Sequence, residues 1–180
     1  MLIRKPRALH ICCHGIQNNE STFTSSEFHS YKDEGDFLLF EKSDGSGELV
    51  SSKRLKKLVK GQIVHFELVF LAVCNSESIG EIFQDSGAKH VICIKKGKKV
   101  LDEVALTFTK TFYELIFTGT TICDAFKQAK RVVEFLHNEG EAGMFIMLLQ
   151  EEMKFKKSFG AEKADLHICN VFGPFAEGSV

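Results

Sequence analysis

The chain has 180 residues, 44% of them apolar and seventeen of them Phe, enough for one domain with a substantial core. Its 23 Lys plus Arg against 24 Asp plus Glu leave a formal charge of -1, which supplies no global electrostatic reason to expect nucleic acid or a membrane as partner. No apolar run reaches the roughly eighteen residues of a membrane helix, and Met1-Leu2-Ile3-Arg4-Lys5-Pro6 lacks the apolar stretch of a signal peptide. Six Cys, mostly inside apolar runs, read as reduced thiols, so the expectation is a soluble, cytoplasmic protein. With two Pro and no low-complexity segment, no internal domain boundary is expected.

Taken in order, Ala8 to Cys13 lies between Pro6 and Gly15 and is too short for a helix, so it reads as a buried strand with His14 just beyond its carboxyl end. Residues 16–36 are polar and aperiodic, which predicts a long exposed loop. Phe37 to Phe40 and Gly47 to Val50 flank an Asp44-Gly45 pair suited to a hairpin turn. Ser51 or Ser52 then caps a short helix over Lys53 to Lys60, with Leu55, Leu58 and Val59 on one face and Gly61 as terminator.

His65 to Val73 is the strongest strand, a near-continuous apolar run of the kind covered on both faces, and it ends at Cys74. Ser78 to Gln84 predicts a helix closed by Gly87, and His90 to Ile94 a further buried strand. Two amphipathic helices follow: Leu101 to Phe117, with Val104, Phe108, Phe112, Leu115 and Ile116 on one side, and Thr121 to Asn138, with Ala125, Ala129, Val132 and Val133. Gly119 separates them. Met144 to Leu149 fits a strand or a short helix, and Leu166 to Val171 a last strand. Strands alternating with helices predict an α/β layer architecture with a mostly parallel sheet, whose reactive groups gather at the carboxyl ends of the strands.

His14 and Cys74 each stand at such an end. If the two strands are neighbours, Cys74 attacks a peptide carbonyl, His14 protonates the leaving amine, and the backbone N–H groups of Gly15 and Cys74 face the oxyanion. Gly15, without a side chain, lets substrate approach. Asn75 and Ser76 order the turn into the next helix and, with Asp36, are candidate substrate-pocket residues; Asp33, Glu34 and Asp85 are further candidate pocket acids. Taken alone, a Cys ending an apolar strand is more often an inert core thiol, and a lone His a hydrogen-bonded structural residue.

A metal reading is weak. His10 and Cys12 share a strand face, and Leu-His-Ile-Cys occurs at 9–12 and again at 166–169, but no paired Cys-x-x-Cys accompanies them. No metal and no cofactor is expected. The lysines of Lys95-Lys96-Gly97-Lys98-Lys99 read as a solvated loop between strand and helix, and Met144, Phe145, Met147 and Met153 as core.

Several blocks together resemble the CHAT domain, a branch of the caspase-like (clan CD) cysteine peptidases. They are LHICCHG at 9–15, FLLFEKSDGSGELVSSKRLKKL at 37–58, LVFLAVCNS at 68–76, IGEIFQDSGAKHVICI at 79–94 and VALTFTKTFYELIFTGTTICDAFKQAKRVVE at 104–134. The resemblance implies a three-layer α/β/α sandwich and a catalytic dyad that falls on His14 and Cys74, beside Gly15. A caspase signature carries Gln-Ala-Cys with its His about fifty residues upstream; here Leu71-Ala72-Val73-Cys74-Asn75-Ser76 replaces it. That places the chain beside the true caspases, outside them.

Such domains normally open with a strand and a helix before the His strand, and only Met1 to Arg7 precede it here. The expectation is one CHAT domain over 1–180, N-terminally incomplete and part of a longer protein. The implied activity is cysteine endopeptidase hydrolysis of protein or peptide substrates, with helical-repeat or nucleotide-binding domains as regulatory partners. Its rival is a catalytically silent CHAT-like interaction module in a signalling assembly.

Overall fold

The computed structural model describes residues 6–18, 30–31, 33–60 and 66–149. The elements, in chain order, are β1 (Ala8–Cys12), β2 (His14–Ile16), β3 (Phe37–Glu41), β4 (Gly47–Ser51), α1 (Ser52–Lys60), β5 (Leu68–Ala72), α2 (Glu77–Asp85), β6 (His90–Ile94), α3 (Asp102–Phe117), α4 (Ile122–Leu136), α5 (Glu139–Ala142) and β7 (Phe145–Leu149).

The main sheet has the order β1-β5-β6-β7, and β2, β3 and β4 form a smaller antiparallel sheet. β1, β5 and β6 are parallel, with Ala8 opposite Leu68 and Leu68 opposite His90, while β7 runs antiparallel to β6. The apolar runs of β5 and β6 explain why: each strand is buried on both faces, and alternation sends its residues into two cores. Leu68, Phe70, Ile92 and Ile94 join Val104, Phe108 and Phe112 of α3 and Ala125, Ala129 and Val133 of α4. Val69, Leu71, Val91 and Cys93 face the other way, onto Ile79 and Phe83 of α2, with Leu55 and Val59 of α1 beside them. The result is a three-layer α/β/α sandwich with a mostly parallel sheet.

Aromatic packing dominates the α3 side. Phe108 is fully buried, lies parallel to Phe145 with ring centroids 4.0 Å apart, and meets Phe70 edge-on at 5.8 Å. Such pairs add ~0.5–1.5 kcal/mol to the area they bury.

Local signals act where expected. Gly45 adopts φ +79° in the hairpin turn, and its N–H donates to the Lys42 carbonyl at 2.9 Å. Ser51 Oγ accepts from the Arg54 N–H at 3.1 Å, capping α1, and Gly87, at φ +98°, follows α2. Thr121 Oγ1 caps α4 through the Asp124 N–H.

Some expectations are corrected. Leu58 is 58% exposed, because α1 lies over α2 and offers it only Leu55 and Val59. Ile16, expected to open a loop, pairs with Phe37 in β2, since the chain re-enters a sheet one residue after β1. Met144 to Leu149 resolves as a strand because β6 offers a free edge, with Phe145 opposite Ile94. Most of the loop over 16–36, the terminator Gly61, Met153, the strand at Leu166 to Val171 and the second Leu-His-Ile-Cys lie outside the described residues. Among the described residues no helix is long and apolar enough to cross a membrane.

Candidate active site

β1 and β5 are neighbours, and their parallel register sets Cys12 opposite Ala72. Cys74 lies two residues beyond Ala72, while His14, two beyond Cys12, already belongs to β2 of the smaller sheet opposite Leu39; the close approach of Gly15 to the Cys74 carbonyl oxygen brings the two connections together at the carboxyl edge of the main sheet. Both line one cavity of about 480 Å³ between this edge and α3. His14 is exposed and Cys74 half-buried.

The thiol of Cys74 is held by the strand-to-helix connection ahead of α3. The Val100 N–H donates to Sγ at 3.4 Å, and the Val100 carbonyl oxygen lies 3.7 Å from Sγ as an acceptor for the S–H. Among the described residues no hydrogen bond joins His14 to Cys74. The arrangement is therefore a pair on one wall with the sulfur turned to backbone.

Gly15 has a different immediate role from the one its position suggests. A Cβ there would overlap the Cys74 carbonyl oxygen and stand 2.8 Å from Val73 Cγ1. The missing side chain admits the backbone of Cys74, and Gly15 itself is not on the cavity wall.

Asn75, Ser76 and Asp36 are likewise not on that wall. Asn75 is buried at φ +56°, a left-handed conformation that Asn tolerates better than most residues. Its Oδ1 accepts from Gln17 Nε2 at 2.9 Å and from the Gly97 N–H, while its own N–H donates to the Lys98 carbonyl at 3.0 Å. Ser76 is fully buried and accepts the Ile94 N–H at 3.0 Å, locking the exit of β5 to the end of β6. These two order the turn after Cys74. Asp36 uses both carboxylate oxygens elsewhere, accepting from the Asn18 N–H at 3.2 Å and from Ser78 Oγ at 2.8 Å. Glu34 is bonded to Ser51 and Lys53, and Asp33 and Asp85 are exposed.

Three polar side chains on the wall have no place in the sequence-based site: His10, Asp102 and Thr109. His10 was legible through alternation, which puts it on the same side of β1 as Cys12. Its Nδ1 lies 2.8 Å from the Tyr113 hydroxyl, and its ring packs on Phe70 at 4.8 Å. These rings desolvate the imidazole and lower its pKa, although the residue as a whole remains exposed. Burial likewise raises the pKa of Tyr113.

The other thiols differ electrostatically. Desolvation, reinforced by neighbouring Cys12 and only partly offset by a hydrogen bond to the Leu39 backbone, pushes Cys13 up to about 11. Burial, with Glu77 and Glu81 nearby, pushes Cys93 up to about 12. Neither supplies thiolate at neutral pH, and only the thiolate is nucleophilic. Among the described residues no group of three or more His, Cys, Asp or Glu is gathered that could hold a metal.

Parallel strands between two helical layers, with a strand-turn-strand connection after the first and a tight left-handed turn after the second, define a caspase-like α/β domain. A family model described as the CHAT domain matches residues 1–141, and the chain belongs to that family. No curated protein matches the chain.

Proposed function

We propose that the protein is a cysteine endopeptidase acting through His14 and Cys74. The observation that carries this reading is that the two residues follow neighbouring parallel strands and line one cavity. Cys74 passes its thiol proton to His14 and attacks the scissile carbonyl carbon, forming a C–S bond, and the backbone N–H groups of Gly15 and Cys74 stabilise the oxyanion. The C–N bond then breaks as His14 gives a proton to the amine. Water, deprotonated by His14, hydrolyses the thioester and returns the thiol. Among the described residues Cys12, Cys13, Cys74 and Cys93 are reduced thiols, which supports a reducing, cytoplasmic setting.

A second reading, a silent CHAT-like interaction module, is favoured by the engagement of Sγ with the Val100 backbone instead of His14. Alkylation of the reduced protein by iodoacetamide at neutral pH, mapped by mass spectrometry, separates the two. The peptidase reading expects Cys74 to react faster than Cys12 and Cys123 and to slow in His14→Ala; uniform slow labelling would leave the interaction module.

A further inference from the structure

The wall of the cavity changes character with depth. At the sheet edge stand His14 and Cys74; beneath them Phe70, Ile94 and Phe145 continue the surface into the α3 core. Two small residues border the space. Ala72, on the same side of the β5 chain as Phe70 and Cys74, and Ala105, in the second turn of α3, both line it where larger side chains would fill the gap between sheet and helix. Its 480 Å³ lies within the roughly 300–1,000 Å³ of small-molecule pockets.

Charge on the wall is sparse. Asp102 is its one carboxylate, exposed in the first turn of α3 where the helix dipole favours it, and among the described residues no Lys or Arg lines the cavity. An acidic side chain would lose its hydration within the apolar depth of the cavity and meet no Lys or Arg there. His10 already has Tyr113 beside its Nδ1. An apolar side chain, by contrast, would exchange water for Phe70, Ile94, Ala105, Leu106 and Phe145.

We propose that this cavity is a subsite for one large apolar side chain, of leucine or phenylalanine size, in the peptide that Cys74 attacks. The proposal rests on the peptidase reading above and specifies its substrate class. Leu106, on the wall and 68% exposed, marks the mouth, so the chain can enter from solvent without a rearrangement of the sheet.

The test is a series of N-acetyl dipeptidyl chloromethyl ketones that differ only in the side chain next to the ketone: Leu, Phe, Gly, Arg or Asp. Second-order rates of Cys74 alkylation are measured on the whole protein. Leu and Phe should exceed Gly by ~10-fold or more, the usual discrimination of an apolar pocket, with Asp slowest. In Ala105→Phe, which fills the space, the ratio of Leu to Gly should fall towards one. Equal rates for Leu, Phe and Gly, or Arg as the fastest, would overturn the proposal; the Arg result would assign the cavity to a basic side chain reaching Asp102.

Failure of the dyad reads out separately. If His14→Ala leaves the iodoacetamide rate at Cys74 unchanged, the dyad is wrong, and N-acetyl-phenylalaninamide decides the subsite alone. It should still slow iodoacetamide modification of Cys74 and Cys12, which share the wall. An absence of protection up to its solubility limit would overturn the subsite.

Discussion

Gly15 and Cys74 are in direct backbone apposition: the Cα of the one faces the carbonyl oxygen of the other with no room for a methyl group. This contact joins the chain leaving β1 to the chain leaving β5, and so fixes the distance between the two residues assigned to catalysis. Gly15→Ala should destabilise the protein by about 1–3 kcal/mol, because the obstructing atom is backbone and cannot rotate away. Urea denaturation measures the loss, and Cys74 alkylation should change in the same variant. A wild-type midpoint would show that β2 can move aside.

Removing either member of the pair should separate activity from stability. Cys74→Ala should abolish peptide hydrolysis while changing stability by about 1 kcal/mol or less, since the thiol makes only weak sulfur hydrogen bonds. His14→Ala removes an exposed side chain, so its stability should stay within about 0.5 kcal/mol while hydrolysis is lost. Retained hydrolysis in Cys74→Ala would end the mechanism.

Asn75 should be sensitive to change although it does not line the cavity. Asn75→Ala keeps a residue at φ +56° without the Asn side chain and removes the acceptor for Gln17 and Gly97. The left-handed conformation alone costs about 1–2 kcal/mol for an ordinary residue. Asn75→Gly, which restores the conformation but not the hydrogen bonds, should recover part of the lost stability. Comparing the two midpoints divides the effect, and equal losses would show that the backbone conformation contributes nothing.

The aromatic stack should be the most sensitive part of the core. Phe108→Ala should cost about 3–5 kcal/mol in chemical denaturation, because Phe108 is fully buried and touches Phe70, Phe112, Phe126 and Phe145. A loss below about 1 kcal/mol would mean that the layer between α3 and the sheet collapses freely.

Alkaline pH should lower stability in a defined window. Cys13 and Cys93 have pKa values raised from 9.0 to about 11 and about 12. Above 9 the unfolded chain sheds these protons and the folded one retains them, so the contribution present below pH 9 declines as pH rises towards 11–12. Cys93→Ala should flatten the decline relative to its own value at pH 8. An identical pH profile in the variant would show that the Cys93 thiol is not the group responsible.

Much of the main sheet and of the paired helices was legible before any tertiary structure. His90 to Ile94 was read with its observed bounds, and the buried faces of α3 and α4 follow from the spacing of Val104, Phe108, Phe112 and Ile116 and of Ala125, Ala129 and Val133. Leu58 departs from its pattern because periodicity says which side of a helix is apolar, but not how much surface its neighbour offers. The pocket residues were harder. Asn75, Ser76 and Asp36 are near Cys74 in sequence or rich in oxygen, yet each spends its polar atoms on a chain segment remote in sequence.

By itself the sequence determined which segments are apolar, where Gly45, Gly87 and Gly119 let the chain turn, and that a His and a Cys follow two apolar strands. Those are local properties, set by hydropathy, side-chain period and allowed backbone conformation. β1, expected to be buried, is instead half-exposed because it stands at the end of the main sheet. Only the tertiary structure decided that these strands are adjacent and that His14 and Cys74 line one cavity. It also decided that Val100 holds the thiol, and that Ala72 and Ala105 leave a space beside it. Register and cavities arise from non-local packing, in which a residue's role depends on what the rest of the chain sets opposite it.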